Sequence, residues 1–347
     1  MALIIEEVKE QGFEKILVAK DSSTGLSAII AIHNTRLGPA CGGIRMLPYA
    51  SQQEAMTDVL RLAKGMSYKS ALAGINFGGG KSVIIGNPDQ KSKKLFHSFG
   101  EFVEKFEGKY IAAKDMNIES VDLGLVKEKT RHVLGVEGEV GTSGDPSPVT
   151  ALGVFRALEA TAESLTGSKN IKGLKVAVQG IGHVGYSLAA LITEAGGEVW
   201  VTDTNLKTVE KAKAELKAKF VELENIYDFD CDVFSPCARG AILNSVTIPR
   251  LKCKAIVGAA NNQLATPEDG IRLHERGILY APDYAINSGG IINIFIEYQG
   301  YDRTKALKKT EAIYLTMKEV FQRSKATHKP TFEVADLLAE ERLYGKK

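Results

Sequence analysis

The stretch Val178-Gln179-Gly180-Ile181-Gly182-His183-Val184-Gly185 decides the fold of the second half of the chain. It follows an apolar run typical of a buried strand and precedes an apolar run typical of a helix. Its three glycines have the spacing G-x-G-x-x-G. Gly180 would permit a tight turn, Gly182 would let a phosphate group approach the backbone, and Gly185 would let the helix pack closely on the strand. The pattern predicts a strand, a turn and a helix that bind a dinucleotide.

The acid that ends the next predicted strand, 198–202, narrows the choice of dinucleotide. Asp203 follows the first glycine of the turn by about 20 residues, the position of an acid that binds a ribose 2′-hydroxyl. A carboxylate there repels the 2′-phosphate of NADP, while the helix N-terminus offers N–H groups to the pyrophosphate. We therefore predict that residues 180–185 and Asp203 bind NAD. The alternative is a tight turn that happens to contain three glycines.

Predicted strands and helices alternate on both sides of this turn. The strands are predicted at 175–179, 198–202, 232–235, 255–258 and 278–281, and the helices at 149–165, 186–195, 208–216, 304–325 and 333–343. Because parallel strands need a crossover between them, usually a helix, this alternation predicts a parallel sheet with right-handed crossovers.

The first third of the chain also alternates strands and helices. Strands are predicted at 15–20, 28–33, 83–85 and 110–113, and apolar residues at helical spacing predict a helix over 95–106. The capping box Ser51-Gln52-Gln53-Glu54 predicts the start of another helix, which continues to Lys69. Residues 135–148 are rich in Gly, Glu, Ser, Thr and Pro and have no periodicity, so we expect a boundary loop there.

The composition argues against several classes of function. The chain has 347 residues, enough for two domains of about 100–200 residues each. Its net charge of +2 gives no electrostatic footprint for nucleic acid or an anionic membrane. No apolar run approaches the roughly 18 residues of a membrane helix, and the charged N-terminus is not typical of a signal peptide. The four cysteines form no CxxC pair, so we predict no metal site and a reducing cytoplasm.

A second glycine cluster, Phe77-Gly78-Gly79-Gly80-Lys81-Ser82, precedes the predicted strand 83–85. Gly-Lys-Ser also ends the nucleotide-binding P-loop, but that motif needs a glycine where Ile75 stands and a helix after the lysine. A phosphotransferase is therefore disfavoured. Lys81 could be an ordinary solvated turn residue, yet three consecutive glycines indicate that the backbone closely approaches another group.

Two further charged residues lie near predicted element ends. Lys69 is near the end of the helix that starts at the capping box, where most lysines are solvated. Asp115 follows the predicted strand 110–113, and ligands of α/β sheets bind at the carboxyl ends of strands. Asp115 could equally cap the N-terminus of a helix.

Taken together, seven segments resemble the glutamate/leucine/phenylalanine/valine dehydrogenase family, most closely its leucine-specific members. They are Leu37-Gly38-Pro39-Ala40-Cys41-Gly42-Gly43-Ile44-Arg45-Met46, 61–71, 78–86, Asp145-Pro146-Ser147-Pro148-Val149-Thr150, 180–185, Ala259-Ala260-Asn261-Asn262-Gln263 and 281–293. They run in family order over nearly the whole chain, so their conjunction is far more specific than any one motif.

The resemblance implies an α/β fold of two domains with a deep cleft between them. The N-terminal α/β domain, residues 1–133 with the C-terminal helix 328–347, would bind substrate and carry out catalysis. The C-terminal Rossmann domain, residues 134–327, would bind NAD. The implied reaction is the reversible oxidative deamination of an apolar L-amino acid to its 2-oxo acid, ammonium and NADH, in a homo-oligomer.

The resemblance also implies a role for each matched residue. Lys81 would be the catalytic lysine that activates water, Asp115 the carboxylate that shuttles protons beside the amino group, and Lys69 the group that holds the substrate α-carboxylate. Further implied substrate contacts are Gly42, Gly43, Met66 and Asn262, and Thr150 and Asn261 would hold the nicotinamide end of NAD. A lysine base needs a lowered pKa, which burial beside a second cation such as Lys69 supplies.

The implied side-chain pocket is lined by Cys41, Ala113, Ile291 and Ile294. Glutamate-specific members of the family have lysine and serine where this chain has Cys41 and Ile294, so a glutamate carboxylate would be buried without a partner. We expect leucine or another branched-chain substrate, with phenylalanine, tryptophan or valine as alternatives. Lys114 stands where leucine-specific members have glutamate, and it is the one departure that favours a non-catalytic NAD-binding relative.

Overall fold

The structure, a computed structural model, describes residues 3–138 and 141–345. Its contacts divide the chain into two units. The first comprises Met1–Gly144, Ile294–Arg303 and Ala339–Lys347, and the second comprises Asp145–Asn293 and Thr304–Leu338. These divisions differ from the predicted boundaries at 133/134 and 327/328.

Backbone hydrogen bonds explain why the first unit extends beyond residue 133. The Leu134 N–H donates to the carbonyl of Ala112 at 2.9 Å. The two Glu297 carboxylate oxygens accept from the N–H groups of Gly135 and Ser143, each at 2.8 Å. The predicted boundary loop is therefore tied to the first unit at Gly135 and Ser143, whereas its last residues, 145–148, belong to the second unit. Residues 139–140 of this loop lie outside the described residues.

Among the residues that the structure describes, six strands and three α-helices form the N-terminal part of the first unit. In chain order they are β1 (Ile4–Val8), β2 (Lys15–Asp21), β3 (Leu26–Asn34), β4 (Ala40–Leu47), α1 (Gln52–Ala73), β5 (Gly78–Ile85), α2 (Lys93–Glu104), β6 (Tyr110–Lys114) and α3 (Ser120–Lys127), with a 3₁₀ turn at Pro88–Gln90. The predicted elements lie within or close to these bounds. The sequence analysis did not predict β1, β4 or α3.

The six strands form one mixed sheet in the order β1-β2-β3-β5-β4-β6. The neighbours β1/β2, β2/β3 and β3/β5 are antiparallel, whereas β4 is parallel to both β5 and β6. Strand β4 therefore lies between the strands that carry Lys81 and precede Asp115. One sheet face packs against apolar residues of α2, and the other packs against Ala55, Val59 and Ala63 of α1.

The predicted capping box starts α1 where expected. The Ser51 hydroxyl accepts from the Glu54 N–H at 3.1 Å, and the Glu54 carboxylate accepts in return from the N–H of Ala50, one residue before the cap. The helix ends at Ala73 rather than Lys69, because Gly74 adopts the left-handed conformation (φ 63°) and its N–H caps the last turn.

The second unit and the C-terminus contain the remaining elements. In chain order they are α4 (Ser147–Thr166), β7 (Lys175–Gln179), α5 (His183–Glu194), β8 (Glu198–Thr202), α6 (Leu206–Leu216), β9 (Lys219–Phe220), β10 (Val233–Pro236), β11 (Ala255–Ile256), α7 (Pro267–Glu275), β12 (Leu279–Tyr280), α8 (Asp283–Ile286), α9 (Gly289–Tyr298), α10 (Arg303–Glu311), α11 (Ile313–Thr327) and α12 (Thr331–Tyr344), with 3₁₀ turns at Leu223–Asn225 and Ile248–Arg250. The helix predicted over 304–325 is two helices, since α10 ends at Glu311.

The sheet of the second unit confirms the predicted parallel topology. Its order is β12-β11-β10-β7-β8-β9, and each pair of neighbours is parallel. The order reverses beside β7, which is the topological switch point where Rossmann folds bind dinucleotides. The glycine turn follows β7 directly.

Helix α12 is divided between the two units at residues 338 and 339. Its start lies in the second unit, where the Tyr284 hydroxyl donates to Asp336 at 2.5 Å. Its end lies in the first unit, where Glu340 accepts from the Tyr68 hydroxyl at 2.7 Å and Arg342 donates to the last carbonyls of α1. The sequence analysis assigned this whole helix to the first domain.

No helix among residues 3–138 and 141–345 combines the length and apolar character needed to cross a membrane. Within the same residues, no cluster of three or more His, Cys, Asp or Glu side chains could hold a metal ion.

Candidate active site

Lys81 and Asp115 form an ion pair across strand β4. Neighbouring strands lie about 4.8 Å apart, so the strands on either side of β4 are separated by roughly twice that distance. The long Lys81 side chain spans this gap, and its Nζ lies 2.5 Å from Asp115 Oδ2. Gly43 makes the meeting possible, because a Cβ at Gly43 would lie 2.5 Å from the Asp115 Cβ. Asp115 does not cap α3, whose N-cap is Glu119.

Burial and charge set the protonation of this pair. The Lys81 side chain is only 7% exposed. Its burial lowers the pKa of Lys81 below that of an ordinary lysine, although the negative charge of Asp115 opposes the shift. Burial alone would raise the pKa of Asp115, but the charges of Lys81 and then Arg45 outweigh it and hold the pKa below its ordinary value. The lysine therefore loses its proton more readily than a solvated lysine, while Asp115 stays ionised.

Arg45 connects this pair to a second carboxylate. Its Nε donates to Asp115 Oδ2 at 3.1 Å, and its Nη1 donates to Asp58 Oδ2 at 3.0 Å. The Tyr49 hydroxyl also donates to Asp58 Oδ2, at 2.7 Å. The sequence analysis assigned no role to these three residues. The available signal was the alternation of side chains along β4, which places Arg45 on the same face as Gly43.

The glycines before Lys81 lie inside β5, and their space is filled by the protein itself. A Cβ at Gly79 would lie 2.2 Å from the backbone nitrogen of Ser67 in α1. A Cβ at Gly78 would lie 2.0 Å from the carbonyl oxygen of Asn34. The prediction that the backbone closely approaches another group is therefore confirmed, and that group is the chain's own backbone. This contact brings α1, with the half-buried Met66 and Lys69, close against the strand that carries Lys81.

The small side chains predicted for the pocket lie on the Lys81 face of the sheet. Cys41 and Gly43 are two residues apart on β4 and therefore lie on the same sheet face, and Gly43 pairs with Ala113 of β6. Burial raises the pKa of the Cys41 thiol to about 12, so this side chain is neutral. Ile294 lies in the first unit near Gly135, where an added Cβ would be 3.0 Å from its Cδ1.

The other predicted pocket residues are not all grouped with these. Ile291 is buried in the second unit. Gly42 lies in β4, where its carbonyl accepts from the Tyr110 hydroxyl at 2.8 Å and a Cβ would lie 1.8 Å from the Gly80 carbonyl oxygen.

The glycine turn of the second unit has the geometry that its spacing predicts. Gly180 has a φ of 96°, which favours glycine, and a Cβ at Gly185 would lie 2.0 Å from the Gly180 carbonyl oxygen. A Cβ at Gly182 would meet nothing within 4 Å, so the turn is open at that position. His183 and Val184 start α5, whose N-cap has no side-chain hydrogen bond.

Asp203 is held against this turn. Its Oδ2 accepts from the Ile181 N–H at 2.7 Å, and its Oδ1 accepts from the Asn205 N–H at 2.8 Å. The carboxylate predicted to bind the ribose is therefore anchored beside the glycines predicted to bind the pyrophosphate.

A second group of polar residues lies where α4 meets the start of α9. The Asn287 amide donates to Asn261 Oδ1 at 2.8 Å and to the Ala259 carbonyl at 3.0 Å. A Cβ at Gly290 would lie 3.4 Å from the Thr150 hydroxyl oxygen. The structure thus brings Thr150 and Asn261 to the segment that contains Asn287. Asn287 lies in the family-matched segment 281–293, and no role was predicted for it.

Asn262 is fixed by its backbone. It has a φ of 52°, and its N–H donates to Asp283 Oδ2 at 2.8 Å. Its side chain is exposed beside Asn261.

Known protein families match both the N-terminal and the C-terminal part of this chain. Residues 13–132 match the Glu/Leu/Phe/Val dehydrogenase dimerisation domain, and residues 141–205 and 198–333 match the glutamate/leucine/phenylalanine/valine dehydrogenase domain. Leucine dehydrogenase of Thermoactinomyces intermedius is 47% identical over 98% of this chain and 93% of its own length. Phenylalanine dehydrogenase of the same organism is 43% identical over 98% and 94%. The crystal structure of L-tryptophan dehydrogenase from Nostoc punctiforme superposes with a TM-score of 0.87, at 42% identity, and covers 96% of each chain.

The chain belongs to the Glu/Leu/Phe/Val dehydrogenase family. It is an amino-acid dehydrogenase, and its cofactor is NAD. The second unit of this dehydrogenase fits that cofactor. The space beside Gly182 is open, the N-cap of α5 has no side-chain hydrogen bond, and Asp203 is anchored beside the turn. These features are compatible with a pyrophosphate and an unphosphorylated ribose at this turn.

The departure from the family pattern at Lys114 is accommodated at the surface of this dehydrogenase. Lys114 is exposed and pairs with Glu137 at 3.0 Å. Asp115 keeps its own contacts with Lys81 and Arg45. The local reason to favour a non-catalytic relative is thereby weakened.

Proposed function

We propose that this dehydrogenase catalyses the NAD-dependent, reversible oxidative deamination of leucine or another branched-chain L-amino acid to the 2-oxo acid and ammonium. The single observation that carries the proposal is the ion pair between the buried Lys81 and the partly buried Asp115, beside small, neutral side chains on one sheet face. The pair supplies the acid–base chemistry, and the neutral side chains favour an apolar substrate.

The substrate preference follows from the electrostatics of the pocket. Cys41 and Ala113 are buried, and neither carries a charge. A glutamate side chain placed against them would lose its hydration without gaining an ionic partner, which costs several kcal/mol. A branched aliphatic side chain would lose no such partner.

Two lysines have different proposed roles at the reacting end of the substrate. We assign Lys69 and the backbone around Gly42 and Gly43 to the substrate α-carboxylate, with Met66 alongside. In its neutral form, Lys81 takes a proton from the water that attacks the imino carbon. Asp115 exchanges protons with the substrate amino group. The lowered pKa of Lys81 increases the share of lysine in this neutral form.

The second unit positions the cofactor. NAD held there would supply the hydride acceptor for the substrate α-carbon. We assign residues 180–185 to the pyrophosphate, Asp203 to the ribose, and Thr150 and Asn261 to the nicotinamide end. We also assign Ile294 of the first unit to the substrate side chain, and Asn262 and Ile291 of the second unit stay predicted substrate contacts.

An aromatic substrate is the second candidate. It is favoured by the small side chains of Cys41 and Ala113, which leave room for a larger group. One methylene of difference changes the discrimination between substrates by only about 1–3 kcal/mol. Aliphatic and aromatic side chains are both uncharged, so an activity assay has to distinguish the two candidates.

We also propose a homo-oligomer in a reducing cytoplasm. The match of residues 13–132 to a dimerisation domain supports the first part. All four cysteines are free thiols, which supports the second.

One assay tests the proposed function. NADH formation at alkaline pH is followed against a panel of leucine, isoleucine, valine, phenylalanine, tryptophan and glutamate. We expect turnover of the apolar amino acids and very little of glutamate. Turnover of glutamate alone, or of none of the panel, would contradict the proposal.

A further inference from the structure

Asp115 is bound by two cations through the same oxygen. Lys81 Nζ lies 2.5 Å from Asp115 Oδ2, and Arg45 Nε lies 3.1 Å from it. The Arg45 side chain is 13% exposed, so its charge acts in a largely dry environment.

The two cations differ in what happens to them during the proposed reaction. Lys81 must be neutral when it accepts a proton from water, and at that moment its attraction for Asp115 disappears. A buried carboxylate without a cation tends to take up a proton. Arg45 stays charged throughout, because a guanidinium does not lose its proton in a protein.

We propose that Arg45 is a positioning residue that keeps Asp115 ionised and correctly oriented while Lys81 is neutral. This inference rests on the proposed function and assigns it a further residue. Arg45 acts through Asp115 and is not itself a catalytic residue.

Asp58 fixes the far end of Arg45. Burial works against ionisation of Asp58, but the Tyr49 hydroxyl, then Arg45 and Arg61, hold its pKa below the ordinary value. Burial and Asp58 raise the pKa of Tyr49, so Tyr49 remains a neutral donor. With Asp58 ionised, the Arg45 guanidinium is held between two carboxylates and cannot swing away from Asp115 without losing one of them.

The remaining ionisable groups near Asp115 do not replace Arg45. Tyr110, on the strand before Asp115, is fully buried, and its pKa is raised by that burial. Lys114 is engaged with Glu137. The cations in contact with Asp115 are therefore Lys81 and Arg45, with Asp58 behind the arginine. Lys69 is a further cation on α1, the helix that packs against β5.

The sign of the expected pH effect follows from this geometry. Arg45 disfavours the protonated forms of both Lys81 and Asp115, so its removal raises the pKa of both groups. In Arg45→Met, the rise of kcat/KM toward alkaline pH is expected to shift upward by about one pH unit or more. The variant should lose most activity near neutral pH and recover part of it at alkaline pH.

The experiment compares kcat/KM for leucine as a function of pH in wild type, Arg45→Met, Arg45→Gln, Arg45→Lys and Arg61→Met. The ratio of kcat/KM of the variant to that of wild type at each pH cancels the contribution of substrate ionisation. Arg45→Gln provides a second neutral variant that keeps a hydrogen-bond donor, should the methionine variant fold poorly. NADH binding reports whether the second unit is intact.

We expect both neutral variants to show a ratio that rises with pH and Arg45→Lys to restore a profile close to wild type. Arg61→Met is the matched control, because Arg61 contacts the other oxygen of Asp58 at 3.0 Å and is 56% exposed. Its profile should not shift. The inference would be overturned if the ratio in the neutral variants were low but constant with pH, or if Arg45→Lys shifted the profile as much as they do. In either case, turnover by wild type would leave the proposed function standing. Absence of wild-type turnover would overturn both.

Discussion

The two glycine-rich regions of this dehydrogenase use the same residue in opposite ways. In the first unit, Gly79 is needed because α1 occupies the space of its missing side chain. In the second unit, the space beside Gly182 is open and is available to a cofactor. The comparison teaches that a glycine cluster indicates close approach but does not say by what. The context of the cluster, a strand in one case and a strand–helix turn in the other, distinguishes the packed sheet face that carries Lys81 from the open turn at Gly182.

Replacement of Lys81, the proposed catalytic lysine, should give the largest effect. General acid–base groups typically contribute about 10²–10⁴ in rate, so we expect Lys81→Ala to lose a factor in that range in kcat. Lys64→Ala is a suitable control, since Lys64 lies on α1 with an exposed side chain. Near-normal turnover in Lys81→Ala would remove Lys81 from the mechanism.

The assignment of the side-chain pocket can be tested by replacing two of its apolar residues with polar ones. We expect wild type to prefer leucine to glutamate by several orders of magnitude in kcat/KM, because an unpaired buried charge costs several kcal/mol. The double change Cys41→Lys with Ile294→Ser should raise kcat/KM for glutamate and lower it for leucine. The serine is included because a lone lysine in an apolar pocket can deprotonate or turn away.

Efficient use of glutamate by wild type would contradict the assignment of Cys41 and Ile294 to the pocket. The Cys41→Lys variant alone serves as the control for the contribution of the serine.

Alanine at each of the two contrasted glycines tests the comparison directly. Gly79→Ala should destabilise the protein by about 1–3 kcal/mol or more, because the new methyl group collides with the backbone of α1. Gly182→Ala should leave the melting temperature nearly unchanged, since its φ is −73° and the space is open. It should instead weaken NAD binding by about tenfold, equivalent to about 1.4 kcal/mol.

Thermal unfolding and NADH titration of the same two variants decide the outcome. Loss of stability in Gly182→Ala with unchanged NADH binding would mean that this turn is a packing feature like Gly79.

The smallest expected effect concerns the choice between NAD and NADP. Asp203→Asn removes the charge that would repel a 2′-phosphate but keeps an acceptor for the Ile181 N–H. We expect the ratio of kcat/KM for NAD to that for NADP to fall by roughly tenfold, or about 1.4 kcal/mol. Equal use of both cofactors by wild type would show that Asp203 does not face the ribose.

The sequence predicted the second unit better than the first. The strands Lys175–Gln179 and Glu198–Thr202 have the predicted bounds, because their apolar runs are continuous and bounded by turn residues. Strand β4 was not predicted. Its sequence, ACGGIRML, contains two glycines and an arginine, and it is a strand because β5 and β6 pair with it on both sides. Such pairing partners are distant in sequence and cannot be read from local propensity.

The same reason limits prediction of the site. Lys81 and Asp115 were found through their motifs, but the pairing of both with Arg45 depends on strand order in the sheet. The contact from Arg45 to Asp58 joins a strand to a helix, and no periodicity marks it. The Asn287–Asn261 contact likewise joins two segments that are distant in the sequence.

The most direct test of the account is an NADH titration of Lys81→Ala beside its turnover. In the proposed mechanism, the proton chemistry takes place in the first unit and the cofactor binds to the second. The dissociation constant for NADH should therefore stay within about twofold of wild type, a change below about 0.5 kcal/mol, while kcat falls by at least about a hundredfold. A loss of NADH affinity as large as the loss of turnover would contradict this division between the two units.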